Sequence, residues 1–291
     1  MKLLKDLNLL DRFLFAEAME DPLVYQAVLS IIMGEEIRLL SKTETEKELR
    51  TSPQLRSVRL DVYTMDDLNR LYDTEVQGKN TGNLPRRSRF YQSLEDCSLL
   101  EPGAVDFNLL NDSFIIMITP FDLFKKGCYR YTFRMACKEV PGMELNDGQT
   151  KIFLNTRGIN TEDVSTELVE LLRYIENTSD LTASQCTSPA IRQIHQRIRK
   201  IKSTEEIGVK YMQAWEEKVY ERMEGREEGL IEGEVRIIRK KLEKGLTVEE
   251  IADLLETEES YTRQIAELLS QYPEEQDPQI AERFFASTES E

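Results

Sequence analysis

The sequence predicts an α/β fold followed by a purely helical extension. Three observations carry this. The run Asp112 to Thr119, DSFIIMIT, is continuously apolar over a strand's length and reads as a buried central strand. Shorter segments around it alternate apolar and polar residues between turn signals, as half-buried strands do. After them the strand signals stop and helical periodicity with capping signatures takes over, which leaves an α/β core of about 160 residues.

The elements follow in order. Residues 6–34 have a helical apolar face (Leu10, Phe13, Leu14, Ala18, then Val24, Val28, Ile31, Ile32), with Asp6 or Asn8 as a cap and Asp21-Pro22 dividing the stretch into two helices. Residues 36–50 are charged and match neither period. Arg59 to Tyr63 and Leu71 to Gln77 are Val-, Tyr- and Thr-rich strands joined by the polar turn Met65 to Arg70. Arg87 to Leu100 is helical, with Phe90, Tyr91, Leu94 and Leu99 apolar and Glu101-Pro102-Gly103 as the stop. The DSFIIMIT strand, an alternating strand at Tyr129–Arg134, the turn Asn146-Asp147-Gly148 and a short strand at Lys151–Asn155 complete the core.

Ser165 to Ile175 and Ser188 to Lys202 read as helices. Ser203-Thr204-Glu205-Glu206 reads as a capping box opening a helix that runs to about Lys244. That helix contains Gly225, Gly229 and Gly233, each costing about 1 kcal/mol in a helix interior. Such a stripe either accepts a second backbone at close range or leaves a frayed, charged helix. Gly245 ends it, and Thr247-Val248-Glu249-Glu250 caps a short helix followed by another at Glu259–Leu269. The pair has the outline of a helix-turn-helix, but its acidity disfavours major-groove contact, so a small helical hairpin is expected. The expected organisation is a core domain at 1–176, a helical extension at 177–272 and a Pro/Glu/Gln-rich disordered tail at 273–291.

Composition excludes several classes of function. No apolar run approaches the ~20 residues of a membrane span, and the N-terminus lacks a signal-peptide core. Cys97, Cys128, Cys137 and Cys186 have no CxxC spacing, which suggests reduced thiols in the cytoplasm rather than zinc ligands or a disulfide framework. His195 is the one histidine and lies in a basic helical stretch, so nucleophilic triads are set aside in favour of a satisfied surface residue. The net charge is −16 and uneven: residues 1–160 hold 21 Lys+Arg and 24 Asp+Glu (−3), and residues 161–291 hold 17 and 30 (−13). Any phosphate-binding surface must then be a local basic patch, and Arg86, Arg87 and Arg89 are the candidates read from the first half.

The acidic hairpin carries the chemistry. It brings Asp61 towards Glu75, and strand alternation gives Glu75 and Gln77 one face; Asp73 is expected on the other. Two neighbouring carboxylates repel unless a cation lies between them, and Mg²⁺ favours one or two carboxylates with several retained waters. Without a cation, Asp61 is a strand-edge residue and Glu75 pairs with Arg59 across the hairpin.

Taken together, residues 6–175 resemble the PD-(D/E)XK nuclease family transposases, also called recombination-promoting nucleases. The matching segments are RLDVY at 59–63, YDTEVQGKN at 72–80, LPRRSRFYQSLED at 84–96, LNDSFIIMITPFDLF at 110–124, YRYTF at 129–133, LNDGQTKIFLNTRG at 145–158 and DVSTELVELLRYIE at 163–176. The Gly-spaced acidic helix followed by GLTVEEIADLL at 245–255 also fits. The resemblance implies a restriction-endonuclease-like mixed β-sheet with flanking helices and a divalent-metal-dependent DNA endonuclease linked to mobile elements or recombination. It places Asp61 and Glu75 as the two acidic motif residues holding Mg²⁺ (or Mn²⁺), with the Val76 carbonyl as a third oxygen. Gln77 stands where the wider superfamily often has Lys; Lys79 reaches the same site if the strand continues past Gly78; Leu60 replaces the motif's proline before Asp61. Gln77 orients water or a phosphate oxygen but cannot move a proton. Lys79, Arg86, Arg87, Arg89 and Tyr91 are the candidate DNA contacts, with Gln92 supporting the site. Two other functions fit the same chain: a catalytically silent nuclease fold that binds nucleic acid or oligomerises, and a helical oligomerisation protein in which residues 205–270 matter most, with the 205–244 helix as the candidate homodimer contact.

Overall fold

The apolar run forms β4 (Ser113–Thr119), buried at every residue. The computed structural model describes residues 2–40, 43–49, 58–100 and 103–288. One six-stranded sheet has the spatial order β1 (Glu44–Leu49), β2 (Val58–Met65), β3 (Leu71–Val76), β4, β6 (Gln149–Asn155), β5 (Arg130–Phe133). β3, β4 and β6 are parallel, and β1, β2 and β5 pair antiparallel with their neighbours. The ambiguous stretch at 36–50 thus supplies an edge strand; residues 41–42 and 50 lie outside the described residues.

The β2–β3 hairpin is fixed by its turn. The buried Asp66 carboxylate accepts hydrogen bonds from the Leu68 and Arg70 N–H groups (3.0 and 2.8 Å), from Arg70 Nε (2.7 Å) and from Tyr72 Oη (3.0 Å). Asn69, at φ 58°, takes the left-handed position that Asn tolerates. This pins the register, and a one-residue slip would send every side chain of the hairpin to the opposite face.

Helices cover both faces. α1 (Arg12–Met19) is capped by Asp11, not by Asp6 or Asn8, which precede it in a short 3₁₀ turn and a loop. α2 (Pro22–Met33) starts where Asp21-Pro22 divides the stretch; the Asp21 carboxylate accepts from the Leu23 N–H, and Gly34 at φ 76° ends the helix. α4 (Thr166–Glu176), α5 (Asp180–Gln185) and α6 (Pro189–Ser203) complete that layer; α5 has too few residues to show a period in the sequence. Val28, Leu172, Ile194 and Ile198 meet Val62, Tyr72, Ile116 and Leu154 in its core. The opposite face is covered by α3 (Leu84–Leu99), whose Tyr91 and Leu94 share a core with Leu71, Ile115, Met117 and Phe153. The helix stop expected at 101–103 lies partly outside the described residues.

The first compact unit extends to Tyr211, beyond the expected boundary at 176, because Ala183, Ile191, Ile194, Ile198 and Tyr211 belong to its core. α7 (Glu205–Leu242) contains the division between the units. No Ser203-Thr204 capping box forms: both hydroxyls donate instead to the Lys200 carbonyl, closing the end of α6. A Cβ at Gly225, Gly229 or Gly233 would meet nothing within 4 Å, so no backbone of the described residues packs against that stripe. The second unit, from Met212, holds α8 (Val248–Leu255), α9 (Glu259–Gln271) and α10 (Asp277–Thr288). The Thr247 capping box forms as expected. Where a disordered tail is expected from 273, α10 forms, because Ile280, Ala281 and Phe284 bury against Val235, Ile238, Ile251 and Ile265; residues 289–291 of that tail lie outside the described residues. Among the described residues no helix is long and apolar enough to cross a membrane.

Asp66→Ala removes the acceptor for two turn amides, a guanidinium and a phenol. We predict a loss of about 3 kcal/mol of stability, read by urea unfolding of the sheet.

Candidate metal centre

β2 and β3 pair from Met65↔Leu71 to Val62↔Thr74. The next step of this register sets Asp61 opposite Glu75, and there the backbone ladder stops. β2 stays with β1, pairing Leu60 with Lys47 and Arg59 with Glu48. The two acidic side chains close the gap reciprocally: the Asp61 N–H donates to Glu75 Oε1 (2.8 Å), and the Val76 N–H donates to Asp61 Oδ2 (3.1 Å). Strand amides that would otherwise be orphaned are thereby satisfied, and both carboxylates are drawn into the sheet, 3% and 2% exposed.

Two arginines complete the centre. Arg12 Nε lies 2.6 Å from Asp61 Oδ1, and the same guanidinium reaches Glu46 at 3.0 Å. Arg87 Nη2 lies 3.1 Å from Glu75 Oε2, with the guanidinium 5.3 Å from the Tyr91 ring centroid and its buried Nε unpartnered. Burial still dominates. It raises Asp61 above the usual carboxylate range, with Arg12 and the Val76 N–H opposing. Burial and then the charge of Asp61 raise Glu75 to about 8, against the Asp61 N–H, Arg87 and Arg12. Burial followed by Glu75 raises Tyr91 to about 12.

Asp73 lies on the same face of β3 as Glu75, two residues away, which corrects the opposite-face expectation. It is fully buried against Glu95 of α3, and among the described residues no amide, hydroxyl or ammonium donor reaches either carboxyl. Burial and then Glu75 and Glu95 push Asp73 well up, and burial raises Glu95 to about 7, so that a proton between the two carboxyls would let them lie together. Arg87, Tyr91 and Glu95 recur at i, i+4 and i+8, so one face of α3 serves the whole acidic layer.

The remaining sequence candidates separate. Gln77 lies beyond the end of β3. Its N–H still bonds the Ile118 carbonyl (2.9 Å), but its side-chain amide donates to the Lys79 carbonyl (2.9 Å). Lys79 is exposed in the loop after Gly78, not on a continued strand face. Arg86 and Arg89 are exposed, whereas Arg87 turns into the centre. Gln92 bonds Ser113 Oγ (2.5 Å), away from the pair. Arg59 approaches Glu46 (3.7 Å) rather than Glu75. His195 has both ring nitrogens engaged, Nδ1 with Tyr174 Oη and Nε2 with Asp180 (2.9 Å each), as a satisfied residue.

Among the described residues no group of three or more His, Cys, Asp or Glu is placed to hold a metal ion. A divalent ion here would take Asp61 and Glu75 as its carboxylates. The donor set fits one that keeps several waters: the oxygens are hard, Glu75 is raised by burial and then by the charge of Asp61, and each carboxylate oxygen keeps a second lone pair.

Glu75 and Glu95 carry folded-state values of about 8 and 7 against ordinary values of 4.5. The folded chain therefore holds more protons than the unfolded chain between those limits, and stability falls as pH rises through that window. Melting temperature measured in EDTA should be highest near about pH 5 and fall towards about pH 8, less steeply in Glu75→Gln. An equal slope in both proteins would contradict the assignment.

A family model described as "PD-(D/E)XK nuclease family transposase" matches residues 12–224. No curated protein and no solved structure matches the chain. The matched segment starts at the arginine that holds Asp61 and takes in every strand of the sheet, so the parted β2–β3 pair sits inside it. On that extent of match, the chain belongs to the PD-(D/E)XK nuclease family transposases.

Proposed function

We propose that the chain is a divalent-metal-dependent endonuclease that hydrolyses phosphodiester bonds in DNA at Asp61 and Glu75. The observation that carries this is the pair of buried carboxyls interlocked with each other's strand amides, with Glu75 held above the ordinary carboxylate range by burial and then by the charge of Asp61, although an arginine approaches each carboxylate. Asp61 and Glu75 would hold the ion, with the Val76 carbonyl as a third oxygen. Mg²⁺, or Mn²⁺ in its place, would acidify a water and polarise the phosphoryl oxygen. The chain's own groups orient the substrate. Gln77 offers a neutral hydrogen-bonding group and no proton transfer; Arg86, Arg89 and Lys79 are exposed cations for phosphates; Tyr91 props the Arg87 guanidinium.

Nicking of supercoiled plasmid with Mg²⁺ or Mn²⁺ tests the reading. Asp61→Asn and Glu75→Gln should each reduce nicking by at least about 100-fold and Gln77→Ala by about tenfold, the range typical of electrostatic and positioning groups. A second reading has its own observation: every oxygen of the two carboxylates already has a protein partner. In that reading the arginines replace the metal, and the fold binds nucleic acid or assembles without cutting it. Metal-independent DNA binding with no nicking in either ion would favour it.

We also infer that α7 pairs two copies of the chain. Residues 221–230 are exposed throughout, and Met212, Met223 and Leu230 expose apolar surface along the helix. An isolated helical segment of that kind is marginal in water. Light scattering should give a dimer for the full chain and a monomer for Met223→Glu/Leu230→Glu; a monomeric wild type would contradict the pairing. The free thiols suit a reducing compartment, for which we propose the cytoplasm.

A further inference from the structure

The first unit carries a second concentration of charge, opposite in sign to the carboxylate layer. α6 contains Arg192, Arg197, Arg199, Lys200 and Lys202 and no acidic residue, in a chain of net charge −16. Ile191, Ile194 and Ile198 are its buried face. The helical period then turns Arg192, Gln193, Gln196, Arg199 and Lys200 outward as one stripe, and all five are exposed.

Two of the five cations are committed to the fold. Arg197 pairs with Asp21 at 2.5 Å, and Lys202 Nζ donates to the Leu7 and Thr178 carbonyls (2.6 and 3.2 Å). The stripe keeps the other three. Among the described residues Arg192 reaches the Cys186 carbonyl alone, at 3.5 Å, and Arg199 lies 3.7 Å from Asp180, whose side chain is largely in solvent. Lys200 has no carboxylate within ion-pair distance among the described residues. α6 also walls a cleft of about 980 Å³, where Lys5, Arg199, Lys200 and Lys202 outnumber Asp6 and Asp180. The exposed side chains of the stripe offer guanidinium, ammonium and amide donors and no apolar surface. That composition suits phosphate oxygens better than a protein partner, whose interface would need an apolar centre.

We propose that the α6 stripe docks the sugar–phosphate backbone of duplex DNA, as a second contact surface on the opposite face of the sheet from α3. It rests on the nucleic-acid reading above and extends it. The contact is independent of base sequence and requires no metal. It would explain how an acidic chain keeps hold of a polyanion: the attraction is concentrated on one helix rather than spread over the surface.

The test is fluorescence anisotropy of the full chain with a short labelled duplex in EDTA over a salt series. Arg192→Gln/Arg199→Gln/Lys200→Gln should weaken binding about tenfold and flatten the slope of log K against log salt by about 2.7, since each phosphate contact contributes about 0.9. Wild-type affinity and slope in this variant, at unchanged melting temperature, would overturn the proposal. Should the triple variant fail to fold, Lys200→Gln, which removes no ion pair, must still lower the slope by about 0.9. Loss of binding to phosphatidylglycerol vesicles with DNA binding unchanged would overturn the assignment to DNA. Nicking activity separates the two readings. Absent nicking with the predicted salt slopes removes the nuclease reading alone, and intact nicking with unchanged slopes removes the α6 surface alone.

Discussion

The reciprocal bonding of Asp61 and Glu75 is the constraint on which the rest of the structure depends. Where the β2–β3 ladder ends, each acidic side chain accepts a backbone N–H of the other strand. The strands part without leaving orphaned amides, and two carboxyls are held inside the sheet. Burial and mutual repulsion then set the chemistry: a proton, an arginine or a metal ion must make up the missing positive charge. Arg12 and Arg87 supply part of it from two different helices, which ties α1 and α3 to the same point of the sheet.

The acidic layer continues behind that pair. Among the described residues Asp73 and Glu95 have no donor but each other, so the layer passes from carboxyls met by strand amides and arginines at the strand gap to a pair under α3 that only a proton can join. Such an arrangement costs stability when the protons leave. The Asp66 turn has the opposite character. Its carboxylate is fully donated to and held below the usual range, although burial alone would raise it, and it is structural. Two buried aspartates of one hairpin thus differ in role because one has donors and the other has none.

Much of this was legible in the sequence. The strands were, because each carries its own period and punctuation: the DSFIIMIT run, the alternation about Asp61 and Glu75, the Asn146-Asp147-Gly148 turn. Asp21-Pro22 divides the first helical stretch and Thr247-Glu250 caps α8, both as expected. β1 was not legible, since it is a charged edge strand whose exposure leaves no apolar face to read. α10 was hidden by its polar composition; three buried residues suffice to order it within a small core. Ser203 and Thr204 show the limit of motif reading: the hydroxyls had two backbone partners within reach, and the preceding helix end took both. That the hairpin brings Asp61 beside Glu75 was legible in the strand pattern, but Arg12 was not, since nothing local links a residue of α1 to one of β2. Glu95 was within reach of a helical-face argument extended from Arg87 and Tyr91.

Proton-linked calorimetry tests the central claim most directly. Mn²⁺ titrated into the protein at about pH 7, in two buffers of different ionisation enthalpy, should show one ion taken up per chain with net release of protons, because the ion replaces the proton that burial keeps on Glu75. No uptake, or uptake without any proton release, would contradict the account.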